Sequence, residues 1–152
     1  GSTDSIPDSI AASWQRAVSM IKYTNDTPEE DMLSQIRKTC EFVRLAFVQR
    51  GNLPVQEDAA YLLTCAVREC VTNAVRYADA TELVAVFRET DDTATVTITN
   101  NGKPPLEAVR EGGGLSTLRC RVERAGGTMI IQSFPVFELT VTVPKGKEGY
   151  AV

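Results

Sequence analysis

The sequence predicts an α+β fold, a two-layer α/β sandwich whose mixed, mainly antiparallel sheet is covered by helices on one face. Three observations carry that prediction. Segments of helical and strand periodicity follow one another as helix, helix, strand, helix, strand, strand, loop, helix, strand, strand. The last two strands, Met129–Gln132 and Phe137–Val143, form a closing hairpin, the second alternating Phe137, Leu139, Val141 and Val143 with polar residues. Finally, 152 residues that are 43% hydrophobic and 24% charged suit one domain with a sizeable core.

Each element has its own signal. Ile10, Trp14, Ala17, Val18 and Ile21 recur at helical spacing, so residues 6–23 read as an amphipathic helix. After Asn25-Asp26, Thr27-Pro28-Glu29-Glu30 is a well-formed helix start, with Thr27 as N-cap and Glu30 at the capping-box position. Leu33, Ile36, Cys40 and Val43 carry that helix forward. Val43, Leu45 and Phe47 then alternate with Arg44 and Ala46 before a Gly51-Asn52 turn, which predicts a strand over 43–49. Pro54 opens a long helix, roughly 56–78.

Leu83–Arg88 is apolar on both faces and reads as a central strand. Beyond the Thr90-Asp91-Asp92 turn, Thr95–Thr99 alternates as a strand covered on one face. Residues 100–114 are too rich in Gly and Pro to be regular throughout. Leu115, Leu118, Val122 and Ala125 mark a further helix, closed by Gly126-Gly127. The expected organisation is a tag remnant (Gly1-Ser2) and N-terminal helix over 1–26, one main unit over 27–145, and a tail over 146–152.

Composition excludes several classes. A net charge of −4 and a pI of about 4.9 argue against a nucleic-acid partner. Arg76, Arg110, Arg119 and Arg121 remain as local groups for a small anion. No apolar run approaches the roughly 20 residues that cross a bilayer, and the start lacks an apolar leader core. The fragment is therefore expected to make no membrane contact and to be cytoplasmic, whether or not a parent chain carries an anchor. Cys40, Cys65, Cys70 and Cys120 show no Cys-x-x-Cys spacing and read as free thiols of a reducing compartment. Histidine is absent, which removes the commonest general base and metal ligand.

Chemistry concentrates in three stretches. On the long helix, Glu69, Asn73 and Arg76 fall at i, i+4 and i+7, a polar row along the edge of an apolar face. Asn100-Asn101-Gly102 follows a half-buried strand, and Gly112-Gly113-Gly114-Leu115 stands at the mouth of a helix. Mg²⁺ wants oxygen ligands in octahedral array, and the Asn73 carbonyl can supply one while phosphates supply others. Glu69, one turn back, can orient a metal-bound water or act as general base. The competing reading of Glu69 is an ion pair with Arg68 or Arg76. Gly112–Gly114 lets phosphates approach helix N-terminal amides, and the competing reading there is a plain flexible loop.

In this order and spacing the three stretches resemble the N, G1 and G2 boxes of sensor histidine kinase ATP-binding domains, within the Bergerat-fold (GHKL) ATPases. The resemblance covers roughly residues 30–144. It implies ATP and Mg²⁺ as cofactors, Asn73 as metal ligand and Glu69 as catalytic base. It also implies that Arg76 reaches phosphate, that Tyr77 walls the cleft, and that Gly102, Gly112, Gly114 and Leu115 border the nucleotide. Arg76-Tyr77 conforms to the family's usual pair.

Two positions depart from the pattern. Asn100 stands where the family has an Asp that accepts a hydrogen bond from the adenine amino group, and Pro104 replaces the second glycine of that box. An Asn carbonyl accepts the same bond without charge assistance. The nine residues between Gly102 and Gly112 would form a short lid. The implied partners are a histidine-bearing dimerisation domain of the same parent and a response-regulator receiver. Two other functions remain open: a nucleotide-sensing or protein-binding module without phosphotransfer, and a serine kinase of the anti-sigma-factor type.

Overall fold

The computed structural model describes residues 29–103 and 114–146. The helix expected at 6–23, the Thr27-Pro28 helix start, Pro104, Gly112 and the tail beyond residue 146 lie outside the described residues, as do the side chains of Glu30 and Tyr77.

Helix α1 spans Glu29–Phe42. Its end explains why the first strand starts later than the alternation at 43–49 predicts. Arg44 adopts φ 62°, its N–H donates to the Glu41 carbonyl at 3.2 Å, and the Leu45 N–H donates to the Cys40 carbonyl at 2.8 Å. That pair of bonds is a Schellman closure, with Arg where Gly is usual. Leu45 is apolar because it folds back onto the core beside Cys40, not because it belongs to a strand. Strand β1 accordingly runs Ala46–Arg50.

Helix α2, Glu57–Asn73, buries a continuous face from Ala59 through Leu63, Ala66, Val67 and Cys70 to Val71. The long helix predicted to residue 78 changes geometry at its end. Ala74–Ala78 form a π-turn, closed by Asp79 at φ 52° with its N–H on the Ala74 carbonyl. Just before it, the Thr72 hydroxyl donates back to the Arg68 carbonyl at 3.1 Å. Such back-bonding competes for ladder carbonyls and bends helices, and π-turns concentrate at functional sites.

Strands β2 (Glu82–Glu89), β3 (Thr93–Asn100), β4 (Thr128–Gln132) and β5 (Glu138–Pro144) complete a five-stranded sheet in the order β1-β2-β3-β5-β4. Only β1 and β2 pair in parallel, so the mixed, mainly antiparallel sheet is as expected. β2 lies inside the sheet, between β1 and β3. Its Leu83, Ala85 and Phe87 share the helix-covered face with Ala94, Val96 and Ile98 of β3 and Leu139, Val141 and Val143 of β5. On the other face Val84, Val86 and a ladder of threonines are only half-buried. Helix α3, Gly114–Arg124, ends at Gly126 (φ 86°) with the Gly127 N–H on the Val122 carbonyl at 2.9 Å. α2 packs on β3 and β5, and α3 on β4 and β5. No described helix is long and apolar enough to cross a membrane.

Candidate functional site

The site is strung along the edge of α2 and the π-turn that continues it. Glu69 and Asn73 are both half-buried there, one helical turn apart. Gly114, the first residue of α3, meets the Glu69 carboxylate directly. A Cβ at position 114 would overlap Glu69 Oε1 and stand 3.0 Å from Oε2. Glycine is what lets the Glu69 carboxylate occupy this space; any side chain at 114 would displace it. Glu69 Oε2 also lies 3.5 Å from Arg68 Nε, the two side chains being 21% and 20% exposed. The ion pair with Arg68 read from the sequence is present, and the same carboxylate stands at the mouth of α3. The Asn73 carboxamide makes no hydrogen bond to any described residue, which leaves its oxygen open for a ligand.

The far end of the site forms where β3 leaves the sheet. Asn100 continues the row Ala94, Val96, Ile98, so the strand's period of two turns its side chain toward the helix layer. Its Oδ1 accepts the Gly102 N–H at 2.8 Å, closing an Asx turn. Gly102 presses on the last residue of the π-turn, for a Cβ there would lie 2.6 Å from the Ala78 Cβ. The Lys103 N–H then donates to the Ala78 carbonyl at 2.9 Å. Glu69 and Ala78, nine residues apart, are separated by about 13 Å along the helix axis. The helix and the π-turn that continues it therefore meet Gly114 at Glu69 and Gly102 at Ala78.

Asn101 locks the second end, a role the sequence reading did not assign. Its Oδ1 accepts from the backbone N–H groups of Thr81 and Glu82, both at 2.9 Å, and its Nδ2 donates to the Thr81 hydroxyl at 2.9 Å. Its own N–H donates to the Glu82 carbonyl at 3.1 Å. The loop after β3 is thereby stitched to the chain entering β2. The only hint in the sequence was an Asn-Gly pair at a strand end, which signals a turn but not its partner.

The other expected residues are placed unequally. Leu115 is buried in the core at 5% exposure, where it anchors the start of α3. Arg76 is exposed in the π-turn. The expected lid, with Gly112, lies outside the described residues, and so does the Tyr77 side chain. Arg119 donates to the Met129 carbonyl at 2.9 Å and Arg121 to the Tyr61 hydroxyl at 3.1 Å, so both serve the fold.

Among the described residues no three His, Cys, Asp or Glu side chains converge as a metal cage. Four thiols are free. Burial pushes the Cys40 thiol up to about 12, and raises Cys65 and, with Glu69 adding repulsion, Cys70. These thiols stay protonated and serve as packing.

No family model matches the sequence. Solved structures of similar shape are histidine kinases. The histidine kinase domain of the Erythrobacter litoralis EL346 blue-light activated histidine kinase matches at 18% identity and TM-score 0.61, over 90% of this chain and 80% of that one. The chain spans 53% of a second structure of that kinase. The Acinetobacter baumannii histidine kinase AdeS matches at 14% identity and TM-score 0.63, over 90% of this chain and 77% of that one. The ATP-binding domain of PrrB from Mycobacterium tuberculosis matches at 20% identity and TM-score 0.58, over 75% of this chain and 91% of that one. The chain has the fold of histidine kinase ATP-binding domains.

Proposed function

We propose that residues 27–145 are the ATP-binding catalytic domain of a two-component sensor histidine kinase. The carrying observation is that α2 and its π-turn touch both glycine motifs, Glu69 against Gly114 and Ala78 against Gly102. That contact pattern puts an acidic, glycine-flanked end and a hydrogen-bonded end on one continuous element, a placement that supports reading the space between them as a nucleoside triphosphate site. The triphosphate lies toward Glu69, Asn73 and the start of α3, whose amide groups favour negative charge. The base lies toward Asn100 and Gly102.

Magnesium fits this donor set. With no carboxylate cage among the described residues, Asn73 would hold the ion through its side-chain oxygen, and phosphate and water would complete the shell, which is the usual habit of Mg²⁺. The chemistry it would supply there is neutralisation of charge on the transferred phosphoryl group. Glu69 is the catalytic base, orienting the attacking group and taking its proton, while Arg68 holds the carboxylate in place. Arg76 reaches phosphate oxygens, and Tyr77 walls the cleft. The chain contains no histidine, so the acceptor is supplied by a dimerisation domain of the parent protein. From that histidine the phosphoryl group passes to a response-regulator receiver. The domain works on the cytoplasmic side.

Calorimetry of the chain with Mg·ATP tests the reading. The expected result is Mg-dependent binding in the tens to hundreds of micromolar, roughly −6 kcal/mol, with Asn73→Ala abolishing the metal dependence. Absence of nucleotide heat with or without Mg²⁺ contradicts it.

A further inference from the structure

We infer that the base end of this cleft accepts 6-oxopurine nucleotides, guanine or hypoxanthine, at least as well as adenine, because Gly102 fixes which way the Asn100 amide points. The inference rests on the nucleotide-binding reading above and specifies the base that the site takes.

Asn100 closes the buried row of β3 and faces the helix layer beside Gly102 and the π-turn. A carboxamide has one acceptor end and one donor end, and hydrogen-bond partners decide their orientation. Here the Gly102 N–H donates to Oδ1 at 2.8 Å. Rotating the amide by half a turn would set the Nδ2 hydrogens against that N–H, two donors facing each other, and would leave a half-buried backbone donor without its acceptor. The orientation is therefore held. Nδ2, which makes no hydrogen bond to any described residue, is the end left to meet a base.

Nδ2 donates and cannot accept. Against adenine it meets the 6-amino group, itself a donor. Against guanine or hypoxanthine it meets the C6 carbonyl, an acceptor. Asn101 makes the arrangement stiff, since its three side-chain bonds to Thr81 and Glu82 fix the backbone on which Asn100 and Gly102 sit. A carboxylate at position 100 would behave differently, because one oxygen can keep the Gly102 bond while the other accepts from an amino group. A site with buried polar groups discriminates strongly when those groups are left mispaired.

The test is calorimetric titration of the chain with Mg·ATP, Mg·GTP and Mg·ITP, before and after Asn100→Asp. ITP isolates the C6 position, since hypoxanthine lacks the 2-amino group of guanine. The expected result is an ITP dissociation constant equal to or below that of ATP, with Asn100→Asp moving the ratio at least tenfold toward ATP. Tighter binding of ATP than of ITP by the unaltered chain overturns the inference and leaves the kinase reading standing. So does a ratio that Asn100→Asp leaves unmoved. Absence of binding by all three nucleotides overturns the kinase reading itself. Should Asn100→Asp fail to fold by circular dichroism, the ATP-to-ITP ratio of the unaltered chain decides alone.

Discussion

The two ends of the candidate site are built in opposite ways. At the Glu69 end the geometry is held by something missing: Gly114 has no side chain, and the carboxylate fills that space with a single 3.5 Å contact to Arg68 as restraint. At the Asn100 end the geometry is held by hydrogen bonds, from Asn100 to Gly102, from Asn101 to Thr81 and Glu82, and from Lys103 to Ala78. A side chain with freedom to move suits an end where a proton or metal-bound water has to be handled. A stiff bracket suits an end that recognises a rigid base. The difference predicts that changes at the first end act on binding with little effect on stability, and that loss of the Asn101 bracket at the second does the reverse.

The largest expected effect falls on neither end but on the scaffold under both. An unperturbed thiol titrates near 9, and burial pushes Cys40 up to about 12. Between those values the unfolded chain has released a proton that the folded chain retains. The stabilisation is therefore complete below pH 9 and is lost as pH climbs through 12, at about 1.4 kcal/mol per pH unit for each such thiol. Urea titrations at pH 8, 9.5 and 10.5 will show this, and Cys40→Ala or Cys40→Val will remove one thiol's share of the slope, leaving that of Cys65 and Cys70. Loss of both ends together is the expected pattern.

Next in size, Gly114→Ala forces the Glu69 carboxylate out of its place. Because that carboxylate is the tip of a flexible side chain, stability should fall by less than about 1 kcal/mol. Mg·ATP binding should weaken about tenfold, roughly 1.4 kcal/mol. A melting curve and a binding isotherm on one sample separate the two. Asn101→Ala should give the mirror image. Two backbone donors lose their acceptor, costing about 1 kcal/mol of stability because water can partly replace it, while binding weakens only a few-fold. Asn101→Asp keeps both acceptor bonds and should recover most of the loss. The smallest effect belongs to Arg68→Ala. Its pair with Glu69 is partly exposed, so stability should change by no more than about 0.5 kcal/mol in urea titrations.

The order of elements and the three polar or glycine-rich stretches were legible because periodicity and turn residues report local structure. Strand alternation at Thr95–Thr99 and the Gly126 helix stop appear in the molecule as read. What escaped has physical reasons. Val43 and Leu45 alternate like a strand but are the apolar ends of a helix closure that uses Arg44 where glycine would have announced it. The π-turn at Ala74–Ala78 keeps a helix-compatible sequence, so nothing local distinguishes it from one more α-turn. Asn101 acts through partners some twenty positions away in the chain, and a contact of that range leaves no periodic trace.

The central claim is that Asn73, Gly102 and Gly114 border one nucleotide cleft. Amide chemical shifts of the isotope-labelled chain, followed while a non-hydrolysable Mg-bound triphosphate is added, test it most directly. The account predicts that the signals of Asn73, Gly102 and Gly114 move together and saturate with one dissociation constant. Shifts confined to the threonine-lined face of the sheet, or signals at these three positions that stay still while nucleotide binds elsewhere, would contradict it.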